Sequence, residues 1–532
     1  MKTKHILLGL SLGLLGGFTA CDVTDLNPKD SITDNSYWNT VSDLENYAKG
    51  FYMNLTGKGL RADGSENLDD LNTLDERSDN RLVASPDQWL FNEWVIPSEA
   101  NFDSKWYWNN IRNLNYFMTR YQRVNATESE VNPVVAVIRF FRAFDYFDKI
   151  KTFGDVPWYE KDLTTADIDE LYKARDDRDF VLGKIIEDLE FAIEWLPEKS
   201  AAEVGALHKD AARTFLARVC LHYGTYKKYH NVSTSPTSQE LLQKAATLAK
   251  EVMDSGLYDI VQGSDAGANQ SAFADYPLYY ANQFTQEDLT TNKECILARV
   301  FEADVLTHNL ARGGGVGLSK DFAESFLCKD GLPIANSSEY KGDETLDDEM
   351  ANRDPRMYQI IDSKYRPYTV KSNGMRVVNS GIDDKKEFSP SEEPGTNIHS
   401  APGLTGTATG YSPIKLVSAS QSQQDAVKTS SYDWFVFRYA EILLIYAEAK
   451  CELGECTQAV LDETINKLRD RVEMKHLTVS PVADLNPVDY GYSITPLLYE
   501  IRRERRIELA LEGFRYDDIM RWKQGDLIEN VW

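Results

Sequence analysis

The chain has 532 residues, 42% of them hydrophobic and 11% aromatic, which is enough to bury a large core and too apolar for a disordered chain. Its 84 acidic residues against 58 basic ones give a formal net charge of −26, which repels polyanions and argues against nucleic acid or anionic lipid as partners. Beyond the N-terminus no apolar run is long enough to cross a bilayer.

Lys2, Lys4 and His5 precede an apolar stretch from Ile6 to Leu15, and Gly16-Gly17-Phe18-Thr19-Ala20 leads into Cys21. This pattern predicts a cleaved signal peptide over residues 1–20. Small residues directly before a cysteine predict a lipoprotein, with Cys21 as the acylated first residue of the mature chain. The alternative is an ordinary secretory signal that leaves Cys21 a thiol. Each buried acyl methylene contributes about 0.8 kcal/mol, so two or three chains would hold the protein on a membrane.

After a polar leader, Thr40 and Asp43, or Ser42 and Glu45, offer a capping box, and Leu44, Ala48, Phe51 and Tyr52 follow at helical spacing. Further amphipathic stretches predict helices near 102–122, 133–153, 178–195, 206–227 and 238–254. Ala211-Ala212 and Ala245-Ala246 lie 34 residues apart, and 434–453 with 456–472 repeats small residues around a glycine turn: Ala447, Ala449, Gly454, Ala459. Such spacing predicts a tetratricopeptide-like scaffold, in which small residues let paired helices approach and stacking buries each pair's apolar face. Between 255 and 433 the pattern breaks into Gly313-Gly314-Gly315, Pro333, Pro355, Pro390, Pro394 and short apolar runs. The expected organisation is therefore mainly α: residues 21–254 and 434–532 form the scaffold, and 255–433 an inserted subdomain of loops, short strands and short helices. Five cysteines follow Cys21, too few and too scattered for a disulfide framework; Cys451 and Cys456, flanking Gly454, read as core thiols or one local bridge.

The usual catalytic constellations are missing: the sequence has no H-E-x-x-H, G-x-S-x-G or C-x-x-C. Its histidines are scattered singly, Leu318 spoils the phosphate-loop resemblance of Gly313 to Lys320, and Asp69-Asp70 and Asp347-Asp348-Glu349 lack the spacing of a calcium loop. No metal and no cofactor is expected, and no enzyme. Ligand recognition has better support in Asp75-Glu76-Arg77-Ser78-Asp79-Asn80, followed by Trp89 and Trp94. Carboxylates, amides and guanidinium groups grip the hydroxyl edges of a sugar, while an indole offers a flat platform for its C–H faces. Packing beneath a loop explains the two tryptophans equally well.

Seven segments, taken in order, resemble the SusD/RagB family of surface lipoproteins. They are the leader Cys21 with Asp25 to Ser31; Trp106 to Asn115; Arg142-Ala143-Phe144 to Tyr146-Phe147; Phe153-Gly154-Asp155-Val156-Pro157; Arg353-Asp354-Pro355-Arg356; Arg438-Tyr439-Ala440-Glu441; and Glu504 to Gly513 with Arg515, Asp518 and Arg521-Trp522. The resemblance implies a non-enzymatic protein on the outer membrane, lipid-anchored and surface-exposed. Its partner would be a SusC-like TonB-dependent transporter, to which it delivers oligosaccharide. Peptide in place of glycan is the alternative that the family allows, and a secreted glycoside hydrolase is a more remote one. In that family, ligand contacts come from the loop around residues 75–94 and from aromatics of the insertion, for which Tyr279, Tyr280 and Phe284 are the candidates. The charges from Glu504 to Glu508 read as scaffold, paired locally at three- and four-residue spacing on a helix begun by Thr495-Pro496. Gly513 reads as a helix C-terminal glycine and Trp522 as a core aromatic.

Overall fold

A computed structural model describes residues 34–55, 74–82, 95, 106–262, 271, 275–308, 317–379, 385–388, 409–424 and 429–529. The expected signal peptide, Cys21, Trp89 and Trp94 lie outside the described residues.

The fold is mainly helical. Helix α1 (Val41–Lys49) opens on the expected capping box: Thr40 Oγ1 accepts from Asp43 N, and the Asp43 carboxylate accepts from Thr40 N. Helix α2 (Asn109–Met118) is followed by α3 (Glu128–Phe153), which begins before the expected start at Pro133. A second capping box, Thr127 with Glu130, sets that start, and Pro133 is carried inside the helix. Helices α4 (Arg178–Trp195), α5 (Lys209–Tyr229) and α6 (Ser238–Asp254) complete an array in which α3 packs on α4, α4 on α5 and α5 on α6. The paired alanines are buried at these contacts. Gly224 shows how tight the α5–α6 contact is, since a Cβ there would lie 2.9 Å from Leu242 Cγ.

Short elements follow: β1 (Cys295–Arg299), α7 (Lys320–Ser325), α8 (Leu346–Met350), and the antiparallel strands β2 (Thr369–Val370), β3 (Arg376–Asn379) and β4 (Lys385–Phe388). Apolar side chains of this region, among them Phe284, Phe322, Phe326, Met357 and Ile361, share a core with Val472, Met474, Ile507 and Leu511 from the C-terminal region.

The stretch 434–453 departs from the expected single helix. Trp434–Arg438 is strand β5, antiparallel to β1, and helix α9 starts only at Tyr439 and runs to Glu452. Aromatic and β-branched residues in W-F-V-F, alternately less and more buried, favour the pleated surface, and β1 supplies the partner edge. Helices α10 (Gln458–Glu463), α11 (Ile465–Arg471), α12 (Pro496–Glu508) and α13 (Arg515–Arg521) close the chain, with α9 packed against α6 and α12.

The charges of α12 pair differently from the local scheme. Among the described residues, Arg503–Glu500 at 3.2 Å is the pair that follows it. Glu504 instead reaches Arg356 (2.6 Å) and Arg469 (2.9 Å), while Glu508 takes Arg471 (2.6 Å), Arg438 (2.8 Å) and Arg356 (2.9 Å). Lys415 and Arg438 hold Glu512 at 2.6 and 2.7 Å. Residues Glu500 to Glu508 are buried on every side of the helix, so water cannot solvate these charges and each must find an opposite charge on a neighbouring element. Burial alone would raise the Glu508 carboxyl, but Arg471, Arg438 and Arg356 outweigh it and hold it far below the usual range.

Trp522 is fully buried and its indole N–H donates to Glu448 Oε1 at 2.9 Å, as a core aromatic should. Gly513 is not the cap of α12, which ends at Glu508 with Leu509 following. Its φ of +83° sits further along the turn, where a Cβ would lie 2.8 Å from Leu74 Cδ2.

Candidate functional site

Residues 74–82 form a tight turn against the C-terminal helices, and Asp75 and Arg77 both take a φ of +65°. Leu511 N and Asn80 Nδ2 donate to Asp75 Oδ2 at 2.7 and 3.0 Å, and burial pushes the Asp75 carboxyl up. Asp79 receives Arg515 bidentately, Nε to Oδ1 and Nη2 to Oδ2 both at 2.6 Å, with Arg506 at 3.2 Å. Burial raises its pKa, but the two guanidinium groups prevail and hold it below the ordinary carboxylate range. Asn80 Oδ1 accepts from Arg506 Nε at 2.7 Å. On the other side, Ser319 Oγ donates to Asp79 O at 2.5 Å and Ser319 N to Asn80 O at 2.9 Å, fixing the turn to the start of α7.

This geometry revises the reading of three expected ligand contacts. Asp75, Asp79 and Asn80 are 4%, 3% and 1% exposed, so they point into the protein, where Asp75 Oδ2, both Asp79 carboxylate oxygens and Asn80 Oδ1 bond groups of the C-terminal region. The sequence pattern was real, but the groups it offers to a sugar edge are the same ones that a buried arginine needs. Arg77 is the member of the set that faces solvent.

The aromatic candidates divide in the same way. Tyr280 is fully buried, its hydroxyl donating to Glu508 O at 2.7 Å and its ring lying 4.9 Å from Lys415 Nζ. Phe284 is buried beside it. Tyr279 is half-buried and lines a cleft of about 220 Å³ together with Tyr276 and Tyr358. Tyr276 stacks on Tyr365 with centroids 3.8 Å apart and planes 11° apart, and meets Tyr358 edge-on at 5.3 Å. The Tyr358 hydroxyl donates to Pro277 O at 2.7 Å, which ties the turn carrying Tyr276 and Tyr279 to the segment after Arg356. Gln359 Oε1 accepts from Tyr280 N and Ala281 N at 3.1 and 3.0 Å, holding the far end of that turn.

Lys329 and Asn352 add hydrogen-bonding groups to the wall, where the Gln359 amide is already satisfied by Tyr280 N, Ala281 N and Pro355 O, and the acids Asp275 and Glu473 offset the cations Lys329 and Arg353. Arg353 is 2% exposed and donates to Ala323 O and Phe326 O, both at 2.8 Å, so it chiefly satisfies carbonyls at the C-terminal end of α7. The cleft thus joins tyrosine rings to neutral and balanced polar groups, the combination that suits an uncharged polyhydroxylated ligand. Sequence reasoning missed Tyr276 and Tyr358. A signal is present in the cluster Tyr276-Pro277-Leu278-Tyr279-Tyr280, where the turn presents the i, i+3 pair Tyr276 and Tyr279 together and separates the adjacent pair.

Among the described residues, no group of three or more His, Cys, Asp or Glu is arranged to hold a metal ion. Two buried histidines serve the backbone, His208 bonding Ile296 O and His308 bonding Tyr432 O, each at 2.8 Å, while the buried His222 packs against Phe147 and Tyr223.

Residues 263–530 match the family model described as the SusD family, and residues 27–221 match one described as starch-binding associating with outer membrane. SusD-like protein P2 of Formosa agariphila is 24% identical over 543 residues, covering 99% of this chain and 91% of the relative. SusD-like protein P38 of the same organism is 23% identical over 558 residues, covering 98% and 92%. Among solved structures, a SusD-like carbohydrate binding protein from Bacteroides fragilis superposes with a TM-score of 0.66 at 22% identity, over 92% of this chain and 88% of that one. A crystal structure with xylogluco-oligosaccharide superposes with a TM-score of 0.57 at 18% identity, over 91% and 85%.

Proposed function

The chain belongs to the SusD family, and from that premise we propose that it captures oligosaccharide on the outer face of the outer membrane and passes it, uncleaved, to a SusC-like TonB-dependent transporter. The observation that carries the binding step is the cleft where Tyr276, Tyr279 and Tyr358 meet Lys329 and Asn352. Tyrosine rings supply rigid apolar area for sugar C–H faces at low entropic cost, and the Asn352 amide and Lys329 ammonium bond the hydroxyl edges. Arg77, exposed on the turn at residues 74–82, is a further candidate contact, and Trp89 and Trp94 are candidates on the sequence pattern alone. The similarity to a SusD-like carbohydrate binding protein and to a protein crystallised with xylogluco-oligosaccharide favours glycan as the ligand class. Cys21 would carry the lipid anchor.

The test is calorimetric titration of the mature protein with a panel of neutral oligosaccharides and peptides, with the mixtures then analysed for cleavage products. Glycan binding without products is the expected result. Binding of peptides alone would install the peptide reading, and products would make the chain a hydrolase. Tyr279→Ala should weaken glycan binding about tenfold, a loss of about 1.4 kcal/mol, while leaving unfolding nearly unchanged. Unaltered affinity in both Tyr276→Ala and Tyr279→Ala would remove the cleft from the site. A neutral ligand should bind equally at low and high salt. Cys21→Ala should release the protein from membranes, and co-purification with the transporter tests delivery.

A further inference from the structure

The two half-buried cysteines of the described chain sit together, and the other three do not share their surroundings. Cys220, Cys295 and Cys328 are buried, and burial pushes the Cys220 and Cys295 thiols up to about 12, which leaves them protonated and inert. Cys451 and Cys456 lie at the turn between α9 and α10. That turn is drawn tight at its neck. Glu455 N donates to Lys450 O at 2.8 Å, the Lys450 and Glu455 side chains form an ion pair, and Gly454 N donates to Cys451 O at 3.0 Å. Gly454 itself takes a φ of +75°, which lets the chain reverse without a Cβ in the way. With Lys450 held to Glu455, only this closed turn separates Cys451 from Cys456, both side chains pack partly buried on the helical core, and each thiol perturbs the other's titration.

We propose that Cys451 and Cys456 are an oxidative modification site, closing into one local disulfide that staples the turn between α9 and α10. The proposal rests on the reading that the chain is exported, because that compartment supplies the oxidant, a small-molecule or protein disulfide. The chemistry is two thiol–disulfide exchanges. Cys456 is the attacking group, since the Cys451 thiol and the nearby Lys450 ammonium lower its pKa. Its thiolate attacks a disulfide sulfur, breaking that S–S bond and expelling one thiolate, which takes up a proton. Cys451 then gives its proton to solvent, and its thiolate attacks Cys456 Sγ, expelling the second thiolate. The cysteine pair is oxidised by two electrons and one oxidant disulfide is reduced to two thiols.

Two measurements on the full chain test this. Membranes of producing cells are quenched in acid, unfolded, blocked with one alkylating reagent, reduced, and labelled with a second. Peptide mass spectrometry should find the second label on Cys451 and Cys456 and the first on Cys220, Cys295 and Cys328. The first label on all five, in protein that fractionates with membranes, overturns the proposal. Separately, reduced purified protein is exposed to glutathione disulfide. It should lose two hydrogens by closing 451 to 456, and Cys451→Ser should instead trap glutathione on Cys456. Failure to close, or closure involving any of the other three cysteines, also overturns it. Protein retained in the cytoplasm with reduced thiols would refute export alone, and the glutathione measurement then decides the pair by itself.

Discussion

Replacing Asp79 by alanine separates a structural carboxylate from a ligand contact. The carboxylate accepts two hydrogen bonds of 2.6 Å from Arg515, which makes no other side-chain hydrogen bond among the described residues and has 5% of its surface exposed. Arg506 loses less, because Asp321 at 2.7 Å and Asn80 at 2.7 Å remain. The variant therefore strands one buried guanidinium. Charge-assisted hydrogen bonds contribute about 1.5–3 kcal/mol each, and removing one partner of a buried pair costs about 3–5 kcal/mol, so a loss of about 3–5 kcal/mol is expected. Urea unfolding followed by tryptophan fluorescence gives the number, and glycan titration on the folded fraction gives the affinity, which should stay at the wild-type value. Adding Arg515→Met to Asp79→Ala should recover much of the loss, because it removes the stranded charge. The carboxyl has a depressed pKa when folded, so its contribution is present above the unfolded value of about 3.9 and disappears as pH falls through the folded value. A variant that unfolds within about 1 kcal/mol of wild type yet no longer binds glycan would refute the reasoning and return Asp79 to the ligand site.

Gly513→Ala should cost about 1–2 kcal/mol in the same unfolding assay, since φ is +83° and the added Cβ would meet Leu74 Cδ2 at 2.8 Å. Burial pushes the His308 imidazole down to about 4, against about 6.5 when unfolded. The unfolded chain therefore takes up that proton first. The contribution of His308 is complete above pH about 6.5 and should fall by about 3 kcal/mol as pH drops to about 4, a slope missing from a His308→Gln variant. Arg356→Met leaves Asp354, Glu504 and Glu508 without their shared guanidinium, and should destabilise by about 3–5 kcal/mol in urea unfolding without changing glycan affinity.

The helical scaffold was legible because its signals are local. Capping residues such as Thr40 and Asp43, and small residues such as Ala211 and Ala245, act within a turn or against the next helix. Strand β5 was not, because W-F-V-F-R becomes a strand through its pairing with β1, which the intervening sequence does not announce. The site was harder still. Asp75-to-Asn80 has the composition of a sugar-binding loop, and nothing within it shows that Arg506 and Arg515 occupy its carboxylate and amide oxygens. Tyr280 and Tyr279 are neighbours in sequence, but one turn sends the first into the core and the second into the cleft.

The bond between Asp79 and Arg515 spans 436 positions of sequence. Loop closure on that scale is slow, and contacts of such separation form late. Leu511 N to Asp75 spans the same distance and Arg506 to Asn80 nearly as much, so the turn at residues 74–82, which meets Ser319 earlier in the chain, gains these side-chain partners only when the C-terminal helices exist. A chain lengthening from its N-terminus can stack its early helices as they appear, but it cannot finish docking this turn before almost all of the polypeptide is available. The arginines of α12 and α13 thus act as a latch thrown last, and a product cut short before Arg515 would lack it however well its first helices had folded.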